Sequence, residues 1–384
     1  MTDEALRAYA SASLCSPSYM DFARVGPLLA PAESARESVT RIVTRQPEKL
    51  DELDAFAEKA RSLASELTGF RSEAIALSPN TSAALFHMAF SLPPGEVLVS
   101  PFDFPANVQP WLRAQEHGRA RVRWMTEPNG GRPRITPELI AAALTPQTVA
   151  VAVSVVDSYT GYQIDLDALR AVIGDRLLIV DGIQALGALN IAWQAADVVA
   201  SGAQKWLRGG WGAGLLACSD RALERLGAGL TGWTGVQDAS DPRRTPQLAA
   251  PRQDVQRFST TAPDLIAVAG LAGALECLQA VGISRVSRQV QRLALRCREV
   301  LAAAGARLEG PEDLSEQSGI VTFRADGCTA AHIVTALAHE GITVAERAGA
   351  ARVSLHASTT EESVELLASV IADTIKNAGS TLTG

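Results

Sequence analysis

A chain of 384 residues, 47% of them apolar, is long enough to bury a sizeable core, and its length favours more than one domain. A formal net charge of −7, with no basic run against it, argues against a nucleic-acid partner. Five cysteines (Cys15, Cys218, Cys277, Cys297, Cys328) lie scattered without C-x-x-C spacing, the five histidines show no ligand pairing, and no apolar run reaches bilayer-spanning length. A disulfide scaffold, a structural metal site and a membrane span are therefore not expected. The start, Met1-Thr2-Asp3-Glu4, has neither a basic n-region nor an apolar h-region, which together with the cysteine usage predicts a reduced, cytoplasmic protein.

Apolar residues recur at helical spacing from 32 to 67 and predict two helices joined near Gln46-Pro47. Short apolar strands then alternate with helical segments. Strands are expected at 74–77, 97–100, 122–125, 149–156, 177–181, 198–201 and 215–217, with helices between them at 81–90, 107–116, 136–143 and 165–173. Near-continuously apolar strands separated by helices imply an α/β fold with a mainly parallel seven-stranded sheet covered on both faces. Residues 238–254 are polar and proline-bearing and read as a surface loop. An alanine- and leucine-rich helical stretch at 264–304 leads into a smaller α+β part, with strands at 319–324, 342–345 and 352–356 and helices at 329–339 and 360–376. The expected division is an N-terminal arm (1–20), a large domain (21–262), and a connecting helix with a small C-terminal domain (263–384).

Ligands of such sheets bind outside the carboxyl ends of the strands. Two chemically telling residues lie there. The run Leu177-Leu178-Ile179-Val180 ends in Asp181, followed by Gly182-Ile183-Gln184. The run Val198-Val199-Ala200-Ser201 is followed by Gly202-Ala203-Gln204-Lys205-Trp206 and a glycine-rich stretch to Gly214. A lysine can form a Schiff base with an aldehyde. An acid can keep a pyridine nitrogen protonated, so that the ring draws electrons. The pair is what a pyridoxal phosphate site requires; the ordinary alternatives are a surface lysine and a helix N-cap aspartate. Ser78-Pro79-Asn80-Thr81-Ser82 opens a helix, where free N–H groups and hydroxyls make either an anion site or a plain cap.

With these motifs in this order, the chain resembles the class V aminotransferase and cysteine desulfurase-like family of fold-type I pyridoxal phosphate enzymes, from Tyr19-Met20-Asp21 to the C-terminal helix. The resemblance implies pyridoxal 5'-phosphate as cofactor, an amino-acid substrate, and a homodimer with its site at the subunit interface. It implies Lys205 as the cofactor lysine and base, Asp181 at the pyridine nitrogen and Gln184 at the phenolic oxygen. Thr81 and Ser82 match the phosphate cradle, with Gln204 adding a contact. In Pro101-Phe102-Asp103-Phe104-Pro105, Phe104 matches an aromatic residue, often histidine, that stacks on the ring, and Phe102 reads as core. Ser158 matches a position facing the cofactor, often asparagine. Thr261, in Arg257-Phe258-Ser259-Thr260-Thr261, matches a threonine that reaches the partner subunit's phosphate, although Ala262 departs from the family spelling before Pro263. Arg352, in Ala351-Arg352-Val353-Ser354, matches the arginine for the substrate α-carboxylate.

Two departures bear on the reaction. Desulfurases of this family carry a reactive cysteine shortly before the carboxylate arginine, and residues 343–351 contain none. Persulfide chemistry needs a thiolate there, so desulfurase action is not expected, and Cys328 reads as structural. Arg24 stands where relatives carry small residues; it either faces solvent or pairs with a distal anion of the substrate. The expected reaction is transamination. The alternative is a C–S or C–C lyase, or an epimerase, working on a modified amino acid without a catalytic cysteine. Intact Lys205 and Asp181 argue against a degenerate, cofactor-free binding protein.

Overall fold

A computed structural model describes residues 4–127, 130–238 and 248–382. Most of the loop expected at 238–254 lies outside the described residues.

The main sheet has seven strands: β1 (Ile75–Ser78), β2 (Glu96–Val99), β3 (Arg121–Trp124), β4 (Thr148–Ser154), β5 (Leu177–Asp181), β6 (Val198–Gly202) and β7 (Gly214–Cys218). Their order is β1-β7-β6-β5-β4-β2-β3. The neighbours from β3 through β2, β4 and β5 to β6 are parallel, whereas β7 runs antiparallel to both β6 and β1. The central strands β5 and β6 are buried along their whole length, which is why they read as unbroken apolar runs rather than alternating ones. Strands β1, β2, β4, β5 and β6 share one direction, so Ser78, Val99, Ser154, Asp181 and Gly202 end at one edge of the sheet.

One face is covered by helices Ala30–Arg45, Asp54–Thr68 and Leu265–Val281, the other by Thr81–Ser91 and Gln109–Glu116. The helical stretch expected at 264–304 breaks. Gly282 sits at φ 81°, in the left-handed region, and the chain turns by 83° into a second helix, Ile283–Ala303. Periodicity continues across such a break, so only the glycine betrays it. Among the described residues no single helix is both long and apolar enough to cross a membrane.

A second, antiparallel sheet follows: β8 (Arg307–Glu309), β9 (Ile320–Arg324), β10 (Ala345–Arg347) and β11 (Ala350–Ser354), in the order β10-β11-β9-β8. Strand β8 was not expected; it is short and not fully buried, with little apolar signal. The strand expected at 342–345 lies instead at 345–347, because Thr343 pairs with the N-terminal segment: Met20 N–H donates to the Thr343 carbonyl (2.8 Å), and Thr343 N–H to that of Ser18 (3.1 Å). The same segment bridges Asp21 to Ser354. It thus crosses the small sheet and carries residues 21–26 to the rim of the large one.

Candidate active site

Lys205 follows β6 by three residues, on a backbone tied down from several sides. Gly202 N–H donates to the Thr81 hydroxyl (2.8 Å), Ala203 N–H to the Ala213 carbonyl (2.9 Å), and Gly26 N–H to the Gln204 carbonyl (2.8 Å). Gly26 has no room for a side chain: a Cβ there would lie 1.8 Å from the Lys205 carbonyl oxygen. The Lys205 ammonium stands 5.2 Å from the centre of the Phe104 ring. Burial pulls the amine down to about 8; Arg352 and Arg347 push the same way, while Asp181 and Asp21 oppose. A lysine so placed can shed its proton near neutrality.

Asp181 closes β5 and is buried. Its Oδ1 accepts the Ile183 N–H at 2.9 Å, while Oδ2 is buried with no hydrogen-bond partner. Burial pushes the carboxyl up to about 7, and the charge of Asp103 adds to the rise. Asp103 was not singled out from the sequence. It is partly buried, and it accepts four hydrogen bonds: from Ser154 Oγ (2.6 Å), Ser154 N–H (3.0 Å), Asn107 Nδ2 (2.9 Å) and Phe104 N–H (2.6 Å). It therefore fixes both the Phe104 backbone and the end of β4. Its only sequence signal was an acid between two phenylalanines.

Helix Thr81–Ser91 opens toward this group, with Asn80 as its cap (Ala83 N–H to Oδ1, 2.9 Å). Its first-turn N–H groups have no partner within the helix. Thr81 is buried and Ser82 partly so. The Gln204 side chain folds over Gly202, where a Cβ would lie 2.2 Å from its Oε1. Gln184 is engaged elsewhere: its amide donates to the Ala23 carbonyl (3.0 Å) and accepts from Trp206 Nε1 (2.8 Å). One N–H of that amide remains to meet a ligand. Phe104 is half-exposed beside Lys205. Phe102, expected in the core, is instead 37% exposed. It stacks with Arg132 and lines a cavity of about 860 Å³ with Asp103, Ser154 and Tyr159, because the acid beside it, not the ring, turns inward.

Arg352 reaches this region from β11. It is buried and donates from Nη1 to the Ser158 carbonyl (2.8 Å) and from Nη2 to Asp21 (3.3 Å), while Nε is buried without a partner. Ser158 thus contributes its backbone here rather than its hydroxyl. Arg24 is largely exposed and lies 4.0 Å from Asp21. Thr261 lies apart, exposed and accepting a hydrogen bond from Trp233 (3.1 Å). Between β10 and β11 the turn consists of Ala348 and Gly349 alone, with no cysteine; the Cys328 thiol lies on the Thr374 carbonyl at 3.8 Å.

The residues fit pyridoxal phosphate. An unpartnered carboxylate oxygen suits a protonated ring nitrogen, a depressed lysine suits an aldehyde, and an open helix N-terminus suits a phosphate. The profile of the family described as aminotransferase class-V matches residues 37–367. The chain belongs to the class V aminotransferases. It is a pyridoxal phosphate enzyme acting on an amino acid. It is 27% identical to an uncharacterized aminotransferase of Bacillus subtilis over 313 residues, covering 79% of this chain and 80% of that one. It is 28% identical to a probable cysteine desulfurase of Aeropyrum pernix over 281 residues, covering 69% and 67%. Among solved structures, a cysteine desulfurase from Thermococcus onnurineus superposes with a TM-score of 0.82 at 20% identity, covering 94% of each chain. A mutant of the enzyme C-DES with glycine covalently linked to its cofactor gives 0.83 at 19%, covering 97% and 99%. At these identities the solved structures establish the fold. In this class V chain, Asp103 and Asp21 are the acids of the site that the sequence left unmarked, since each acquires its place through contacts between distant segments.

Proposed function

We propose that this class V enzyme is an aminotransferase, working as a homodimer in the cytoplasm. When bound, pyridoxal phosphate supplies an aldehyde for the substrate amine and a ring that draws electrons from Cα. Lys205 holds the cofactor covalently and, once freed, moves the proton at Cα. Asp181 Oδ2 keeps the ring nitrogen protonated. The helix N-terminus with Thr81, Ser82 and Gln204 holds the phosphate, joined by Thr261 of the partner subunit. Gln184 offers its remaining N–H to the phenolic oxygen, and Phe104 and Ser158 border the ring. Arg352, steadied by Asp21 and the Ser158 carbonyl, offers its free Nε–H and a guanidinium edge to the α-carboxylate.

The observation that carries transamination is Phe104 against the lysine. Where a histidine could carry a proton, a phenylalanine cannot, so Lys205 alone would take the proton from Cα and deliver it to the carbon that was the cofactor's aldehyde. That shift of a proton from one carbon to another by a single base is what an amino-group transfer needs. A second reading, β-elimination from a cysteine conjugate, is supported by the same free base and by the probable desulfurases among the relatives. The two-residue turn at Ala348-Gly349, with no thiol, supports neither persulfide transfer nor a desulfurase loop.

The test is incubation with an amino-acid panel, with and without a keto-acid acceptor, reading keto product, ammonia and sulfide together. Keto product beyond one equivalent per active site formed only with acceptor, and no ammonia, is the expected outcome. Ammonia or sulfide released without acceptor would establish elimination instead.

A further inference from the structure

Three guanidinium groups gather around Asp21, whose charge is felt at Lys205, and an α-carboxylate would occupy only one. Arg352 is the buried member, with Nε left without a partner. Arg347 stands on the neighbouring strand. The register pairs Ala345 with Arg352 and Arg347 with Ala350, so Arg347 and Arg352 emerge from the same face of the β10–β11 hairpin, while Glu346 emerges from the other. Arg347 is exposed, yet its charge is felt by Lys205, Asp21 and Arg352 alike. Arg24 comes from the N-terminal segment; its side chain is 68% exposed and lies 4.0 Å from the other oxygen of Asp21. Among the described residues, Asp21 is the one carboxylate within ion-pair distance of any of the three, and Arg352 already holds it at 3.3 Å. Two exposed positive charges therefore stand around Asp21 and Arg352, at the edge of the lysine site, with little to neutralise them.

A substrate with an apolar or cationic side chain would leave that surplus uncompensated. A second carboxylate at the far end of the side chain would meet it, and exposure of both arginines leaves them free to reorient around it. We infer that the enzyme selects dicarboxylic amino acids, with Arg352 taking the α-carboxylate and Arg24 and Arg347 together taking the distal one. The inference rests on the reading of Arg352 as the α-carboxylate arginine. Charge-assisted pairing at a rim is modest in water and grows as the bound substrate displaces solvent.

The experiment is calorimetric titration of the holoenzyme with glutarate and with pentanoate, acids of equal chain length that lack an amine and so need no turnover. Glutarate should bind at least about tenfold more tightly. Arg24→Gln and Arg347→Gln should each lower that ratio, and the double variant should bring it near one. Arg352→Lys should weaken both acids. No preference for glutarate in the wild type, or a preference that survives in the double variant, overturns the inference while leaving the Arg352 reading intact. Binding of both acids that is indifferent to Arg352→Lys overturns that reading and the inference with it.

Discussion

Asp181 has one carboxylate oxygen satisfied and one stranded, and its consequences can be measured with and without cofactor. In the cofactor-free protein the carboxyl is held at about 7, well above its ordinary 3.8. A raised carboxyl favours the folded chain while it keeps its proton, so that contribution is lost as the pH climbs from about 4 to about 7. Asp181→Asn should accordingly gain stability relative to wild type above pH 7, and the gain should shrink toward pH 4. Urea midpoints at the two pH values check this; a constant difference would mean that the carboxyl titrates normally. In the holoenzyme the same variant should slow Cα–H exchange in deuterated water by on the order of 10²–10³, since an amide carries no counter-charge. Asp103 is the companion case. Removing a partly buried acceptor of four hydrogen bonds with Asp103→Ala should cost about 1–3 kcal/mol in denaturant unfolding. Lys205 and Asp181 were legible because each stands at a strand end in a motif spelled by adjacent residues. The pairing of Asp21 with Arg352 spans 331 positions, and no local pattern announces a contact of that kind.

At the scale of elements, two turns carry the site. Ala348 adopts φ 49° in the β10–β11 turn, where a side chain is unfavourable, and Arg324 braces the strained pair by donating to the carbonyls of Ala348 (3.1 Å) and Gly349 (2.6 Å). Ala348→Gly should therefore raise stability by about 0.5–1 kcal/mol in thermal or urea unfolding; no gain would show that the brace already absorbs the strain. Gly26 is the opposite case. A methyl there collides with the Lys205 carbonyl, and Gly26→Ala should cost about 1–3 kcal/mol and expose the segment around residue 26 to limited proteolysis. An unchanged digestion pattern would argue that the segment is held independently of the lysine loop. The inner strands of the large sheet were readable because burial on both faces leaves them almost wholly apolar, whereas the edge strand β3, Arg121-Val122-Arg123-Trp124, is largely exposed. The small sheet was read less well: β8 is marginally buried, and the apolar residues Ile342 and Val344 serve the core beneath the N-terminal segment rather than a strand.

At the scale of the whole molecule, the N-terminal segment joins the two sheets. It bridges to the small sheet at Thr343 and Ser354, donates from Gly26 to the lysine loop, and presents Asp21 and Arg24 to the same space that Arg352 enters. We propose the arm, large domain and small domain as the working units, with the small domain bringing Arg347 and Arg352 against a cofactor site built by the large one. The central claim is that Lys205 carries the cofactor, and the composition makes the test unusually clean. The chain has four lysines, Lys49, Lys59, Lys205 and Lys376. Lys59 is tied to Glu276 on the helical face (2.7 Å), and Lys49 lies in the exposed stretch between the first two covering helices. The measurement is borohydride reduction of the holoenzyme followed by peptide mapping: all of the reduced cofactor should be found on Lys205, and Lys205→Ala should take up no reducible label. Label on any of the other three lysines, or label retained in the variant, would contradict it.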